Sequence, residues 1–118
     1  MSKGTSDFVE FVKEQLRSVH AFSTTRMFGG VGLTSSGIQF GMIMSNSLYF
    51  VVDDETRPAY EKMGSNCFSY VTRKGRINVK RYYEVPAEAI EEPDRLIELA
   101  TSSIAIASRP KSAKKKSS

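Results

Sequence analysis

The sequence predicts an α+β two-layer domain: an antiparallel five-stranded sheet with helices gathered on one face. Three observations point there. Apolar residues recur at three- and four-residue spacing near both ends of the chain, the stripe of an amphipathic helix. Between them lie runs that alternate apolar with polar, the period-two mark of half-buried strands. The links between consecutive runs are short and rich in Ser, Asn, Gly and Lys, too short for parallel crossovers.

Residues 7–20 read as the first helix, with Phe8, Phe11, Val12, Leu16 and Val19 as its stripe. Ser6 is the expected N-cap, with Asp7 and Glu10 at the positive end of the dipole. Thr25–Thr34 reads as one strand containing the string Arg26-Met27-Phe28-Gly29-Gly30-Val31-Gly32-Leu33. Glycines inside a strand mark a bulge, a bend or a close backbone approach. A phosphate-cradling loop would instead have to leave a strand and open a helix, and more strand-like sequence follows here. A structural bend is therefore expected. Ser35-Ser36-Gly37 and Ser45-Asn46-Ser47 read as turns around a second strand, Ile38–Met44, whose residues Ile38, Phe40, Met42 and Met44 are expected on one face. Leu48–Val52 reads as the third strand.

A second helix is expected over Glu55–Met63, capped by Asp54, with Pro58 in its first turn and Gly64 in a left-handed C-terminal conformation. Phe68–Arg73 and Ile77–Glu84 read as a hairpin turning at Lys74-Gly75. Pro86 ends that strand, and Pro93 opens a last helix with stripe Leu96, Ile97, Ala100, Ile104 and Ala107, stopped at Arg109 and Pro110. The order is α-β-β-β-α-β-β-α. The expected core is Phe8, Phe11, Val12, Leu16, Phe28, Phe40, Met42, Phe50, Phe68, Val79, Leu96, Ile97 and Ala100.

At 118 residues, 40% hydrophobic and 25% charged, the chain reads as one globular domain. Residues 1–6 read as an N-terminal extension, 7–108 as the domain and 109–118 as a disordered basic Lys/Ser-rich tail. The net charge of +4 resides in that tail: Arg109, Lys111, Lys114, Lys115 and Lys116 face no acid, while the preceding residues are close to neutral. No apolar run approaches the length of a membrane span, and no secretory leader is recognisable, so a cytoplasmic protein with no membrane partner is expected. The single cysteine, Cys67, excludes an internal disulfide.

Residues that could carry chemistry have simpler structural explanations. His20, the only histidine, lacks a Cys, His or carboxylate cluster and suits a helix C-terminus. Asp53-Asp54-Glu55 lacks the alternation and central Gly of a calcium loop, and fits a helix start. Cys67 has no evident base. Glu84 and Tyr82 share a strand face while Tyr83 points the other way. No catalytic residue, metal or cofactor is expected.

Arg26-Met27-Phe28-Gly29-Gly30 with Gly32-Leu33, then Leu48-Tyr49-Phe50, Thr56-Arg57-Pro58 and Tyr82-Tyr83-Glu84-Val85-Pro86 recur in order and spacing like a known pattern. Together they resemble the N-terminal domain of the TfoX/Sxy family, over about residues 8 to 107. The resemblance implies a secretion-chaperone-like layout and a bacterial regulator of natural competence and transcription, with protein partners such as the transcription machinery. It supplies no catalytic residues, and the second, helical domain of the full-length regulators has no counterpart in this sequence.

The leading expectation is a non-catalytic protein-interaction domain. Its candidate surface is Tyr49, Lys80, Tyr82 and Glu84 on the second sheet face, and a homodimer through a sheet edge or that face is the other protein-pairing mode. The alternative is a nucleic-acid-binding protein that uses the 73–81 hairpin, with Arg73, Lys74, Arg76, Lys80 and Arg81, and the tail lysines Lys114, Lys115 and Lys116.

Overall fold

A computed structural model describes residues 2–27 and 29–109. In chain order the elements are α1 (Ser2–Gln15), β1 (Phe22–Met27), β2 (Gly30–Ser35), β3 (Ile38–Met44), β4 (Ser47–Val51), α2 (Arg57–Lys62), β5 (Cys67–Thr72), β6 (Gly75–Glu84), α3 (Ala87–Ile90) and α4 (Pro93–Ala107). The strands form one antiparallel sheet in the order β1-β2-β3-β4-β6-β5. The α+β class and the antiparallel sheet are as expected; the sheet has six strands, where five were expected, and the element order differs accordingly.

The extra strand comes from the glycine string. Thr25–Thr34 is a hairpin instead of one bent strand, with Met27 opposite Gly30 as its closing pair. Gly29 has φ +80°, the left-handed backbone that a tight reversal needs and that a side chain disfavours. Gly30 then lies inside β2 against β3, where a Cβ would run into the Ile43 carbonyl oxygen and the Met44 sulfur. Phe28, expected in the core, lies outside the described residues.

A bulge corrects the expected faces of β3. Leu33 pairs with Gly41 but Thr34 pairs with Gln39, leaving Phe40 as the extra residue. Strict alternation therefore breaks at Phe40. Phe40 and Ile43 both enter the main core, while Met42 is carried to the opposite face beside Gly32 and Tyr49.

The core gathers Val12, Leu16, Leu33, Phe40, Ile43, Leu48, Phe50, Tyr83, Val85 and Leu96, among others, between the sheet and the helices. Phe40 and Phe50 pack with ring centroids 5.7 Å apart. Of the expected core, Val12, Leu16, Phe40, Met42, Phe50, Leu96 and Ala100 are buried, and Phe8 and Ile97 are partly so. Phe11 is instead 42% exposed. Phe68 and Val79 are half-buried on the β5–β6 hairpin, away from the main core. Helix α4 runs along β3 and β4. Its stripe includes Ser103, whose hydroxyl donates to the Val51 carbonyl at 2.7 Å, so a buried polar group is satisfied.

Helix boundaries differ at several points. Helix α1 begins at Ser2, so Ser6 is inside it and is not its N-cap. It ends at Gln15, after which turns lead through buried Val19 to β1. The chain is fastened there by Ser35 Oγ donating to the His20 carbonyl (2.8 Å) and Ser36 N–H to that of Ala21 (3.1 Å). His20 is therefore exposed in a turn, not at a helix end. Helix α2 begins at Arg57, and the organising carboxylate is Asp53 where Asp54 was expected. Asp53 Oδ1 accepts from the N–H groups of Glu55 (3.0 Å) and Thr56 (2.9 Å) and from the Thr56 hydroxyl (3.1 Å). Asp54 pairs with Arg57 at 2.7 Å. Pro58 and Gly64, at φ +85°, sit as expected. Arg109 reaches back to Asp53 Oδ2 at 2.7 Å, so it closes the domain and does not begin the tail. The short helix α3 was not expected.

Two predictions follow from these contacts. Gly30→Ala puts a methyl group against backbone and is expected to destabilise by about 3 kcal/mol, the upper part of the overpacking range, read as a lower denaturant midpoint. Burial alone raises the Asp53 carboxyl, but hydrogen bonds from Thr56, Arg109 and Glu55 outweigh it and hold the group below the usual carboxylate value. Its stabilising contribution is therefore present above the unfolded value of about pH 4 and lost as pH falls through the lower folded one. Asp53→Asn is expected to be less stable at pH 7 and to lose less stability between pH 5 and pH 2 than the parent, measured by urea unfolding across pH.

Candidate interaction surface

The face of the sheet away from the helices is built by register. Thr25, Gly32, Met42, Tyr49 and Glu84 stand opposite one another in turn, a single row across β1, β2, β3, β4 and β6. The neighbouring row puts Val51 beside Tyr82. The core row between them is Gly41, Phe50 and Tyr83.

Gly32 leaves room in this face for a longer side chain to lie flat. A Cβ there would sit 2.8 Å from both Gln39 Oε1 and Thr25 Oγ1. Gln39 extends across the sheet, and its Nε2 donates to the Tyr82 hydroxyl at 3.2 Å. Strand β4 lies between those two strands, and its Val51 is only 1% exposed. Gln39 and Tyr82 thus roof a small second apolar layer made by Val51 and Met42, which lies outside the core cluster shared with the helices of the described residues.

Tyr49 anchors the other side. Its ring meets Phe68 edge-on with centroids 5.2 Å apart, and Phe68 in turn lies 6.1 Å from Tyr70. Aromatic pairs at these separations add to the gain from area burial. This ladder leads from the centre of the sheet to the exposed part of the β5–β6 hairpin. Burial pushes the Tyr49 hydroxyl above its ordinary value, and the neighbouring Glu84 carboxylate adds to the rise.

Of the expected surface, Tyr49, Tyr82 and Glu84 are brought together. Lys80 is not. The pairing of β5 with β6 jumps from Phe68↔Val79 to Cys67↔Tyr83, so Lys80 sits in a stretch of β6 that β5 does not pair. It is exposed, and among the described residues no salt bridge joins it to Glu84. Arg26 is exposed on β1 and Met27 half-buried beside the turn. Arg73 and Lys74 form the hairpin turn, and Arg76 and Arg81 lie exposed along β6. Lys114, Lys115 and Lys116 lie outside the described residues. Sequence reasoning missed Gln39 and Met42, whose placement depends on the Phe40 bulge. Phe68 and Tyr70 are two residues apart on one strand and so share a face, which was the signal for the ladder.

The remaining candidates for chemistry are dispersed. A shallow cleft of about 630 Å³ between the end of α2 and the hairpin is lined by Glu61, Asn66, Cys67, Arg76, Asn78 and Tyr83, among others. Its one carboxylate is already used: the Tyr83 hydroxyl donates to Glu61 Oε2 at 2.7 Å, and that bond, followed by burial, raises the Tyr83 hydroxyl above its ordinary value. Neither His20 nor Glu84 lines the cleft. Among the described residues no group of three or more His, Cys, Asp and Glu is placed to hold a metal ion. No helix is long and apolar enough to cross a membrane.

With this geometry in place, the comparison with known families is decisive. The model of the TfoX N-terminal domain matches residues 14–107, most of the chain. The chain belongs to that family. The glycine hairpin, the Tyr49 row and the Tyr82–Pro86 string all fall inside the matched span. No curated protein matches the chain.

The Tyr49 environment gives a direct check. With its hydroxyl raised above about 10, the neutral form is favoured in the fold, so the associated stability is complete below that pH and is lost as pH rises through the folded value. Glu84→Gln removes the second cause and leaves burial, the larger one. Spectrophotometric titration is expected to show one tyrosine ionising at lower pH in Glu84→Gln than in the parent, a difference absent when both chains also carry Tyr49→Phe.

Proposed function

We propose that this TfoX N-terminal domain is a non-catalytic protein-interaction module that regulates transcription or competence in the bacterial cytoplasm. The observation that carries this reading is the sheet face away from the helices. Its half-exposed Tyr49, Tyr82 and Phe68 stand around buried Met42 and Val51, with Glu84 at the margin. Aromatic and Met side chains around a small apolar centre are the composition of interface cores, and charged groups belong at the rim. Among the described residues, the paired rows of this face hold Tyr49, Tyr82 and Glu84 as their titratable side chains. Family membership supports a regulatory role at the level of the domain, and the transcription machinery is the partner class it favours.

Tyr82 tests the reading with least damage to the fold, because its side chain is half-exposed and bonds only Gln39 through its hydroxyl. Tyr82→Ala is expected to weaken capture of the cognate partner from a bacterial extract by about tenfold or more, the loss typical of an interface hot spot. The circular dichroism spectrum is expected to stay unchanged. Identical partner sets at identical yield for parent and variant would overturn the role of this face.

A further inference from the structure

The described molecule is electrically divided. From Lys62 to Tyr83 there are six cations, Lys62, Arg73, Lys74, Arg76, Lys80 and Arg81, and no carboxylate. The rest of residues 1–108 holds the other six basic residues and all 13 acidic ones. The positive segment is largely the β5–β6 hairpin, which projects beyond the sheet: every residue from Tyr70 to Asn78 is exposed. It also forms an end of the sheet, because β5 is paired on one side only.

Edge strands in soluble proteins are normally guarded by a charge, a proline, a bulge or a covering element. Strand β5, Cys-Phe-Ser-Tyr-Val-Thr, has no charge or proline, and its pairing with β6 is regular from Phe68 to Thr72. Val71 is 71% exposed, Tyr70 48% and Ile77, opposite Tyr70, 41%. The other edge, β1, carries Arg26 and has α1 nearby through Val9. An edge whose one register shift lies at its start, between Cys67 and Phe68, with apolar side chains beyond it and a surrounding positive field, is the arrangement for strand addition, in which main-chain hydrogen bonds give affinity and alternate side chains give specificity.

We propose that the β5 edge captures an extended, acidic segment of a partner protein as a seventh strand, with its apolar residues on the face of Tyr70 and Ile77 and its carboxylates on the opposite face, that of Arg76, and toward Arg73 and Lys74 at the turn. A second copy of this chain fits less well, because edge-to-edge pairing would bring two carboxylate-free basic hairpins together. Nucleic acid would meet the cations, but the edge also exposes the apolar side chains of Val71 and Tyr70, which offer little to a base edge, and Arg76 already donates to Ser69 Oγ at 2.8 Å. The inference shares with the proposed function only the class of partner and uses a different surface.

The test is fluorescence anisotropy on the full chain with a labelled octapeptide alternating glutamate and valine. Its comparators are a lysine-for-glutamate version, two versions N-methylated at alternate amides, and duplex and single-stranded oligonucleotides at 150 mM salt. Saturable binding is expected, weakened about tenfold or more by lysine substitution, by one of the two N-methylation patterns, and by the double variant Arg73→Glu/Lys74→Glu. Both substituted side chains are exposed at the turn, so the circular dichroism spectrum is expected to be retained. Tyr82→Ala is expected to bind the peptide unchanged, which keeps failure here distinct from failure of the sheet-face reading. No binding at millimolar peptide, equal binding by both N-methylated versions, tighter binding to an oligonucleotide than to the acidic peptide, or a chain whose β5 edge is occupied by a second copy in solution would each overturn the proposal.

Discussion

The close approach of β2, β3 and β4 at positions without side chains is the constraint on which the structure depends. At Gly30 a Cβ would strike the Ile43 carbonyl, and at Gly41 it would lie 2.8 Å from the Phe50 ring and the Tyr49 carbonyl oxygen. These absences let large side chains occupy both faces. The Phe50 ring can sit against Phe40 beneath the sheet, while Met42 and Tyr49 stand side by side above it. The Phe40 bulge belongs to the same region. By admitting one extra residue it sends both Phe40 and Ile43 to the core and turns Met42 and Gln39 outward. A side chain in the glycine positions, or strict alternation along β3, would dismantle the second face as well as the core.

This explains what was legible in the sequence. The last helix and the alternation of β4 were visible because period and burial agree there, as in Leu96 and Ala100 and in Leu48, Phe50 and Val52. The hairpin between β1 and β2 was not visible, because paired glycines serve equally as a bend within a strand or as its reversal. Only pairing Met27 with Gly30 distinguishes them. The bulge at Phe40 was hidden for a related reason: Ile38-Gln39-Phe40-Gly41-Met42-Ile43-Met44 supplies an apolar candidate for either face at almost every step. On the candidate surface, Tyr49, Tyr82 and Glu84 could be placed together by parity alone. Lys80 fell away because the β5–β6 register breaks at that point, which parity does not encode.

Charge was also misleading when counted by segment. The domain is close to neutral in sum, but its neutrality comes from a basic hairpin set against an acidic remainder. Fields are local: in physiological salt, charges more than about 8 Å apart at the surface are largely screened from one another. A net sum over the whole domain therefore says little about what an approaching partner meets at the hairpin.

The hairpin and the sheet face are nevertheless mechanically joined. A two-stranded ribbon alone is marginal in water, and this one is exposed on every residue from Tyr70 through its turn to Asn78. Local bonds support its end: the Thr72 hydroxyl donates to the Gly75 carbonyl at 3.0 Å, and Arg76 holds Ser69. Its base is fixed by Phe68, whose ring lies against Tyr49 in the row shared with Met42 and Glu84. Tyr49 is thus the point where the ordering of the ribbon and the shape of the open face meet. A strand added at β5 would stiffen the ribbon down to Phe68, and that constraint passes next to Tyr49. The two surfaces proposed to meet different partners would then be linked through one aromatic pair, Tyr49 and Phe68.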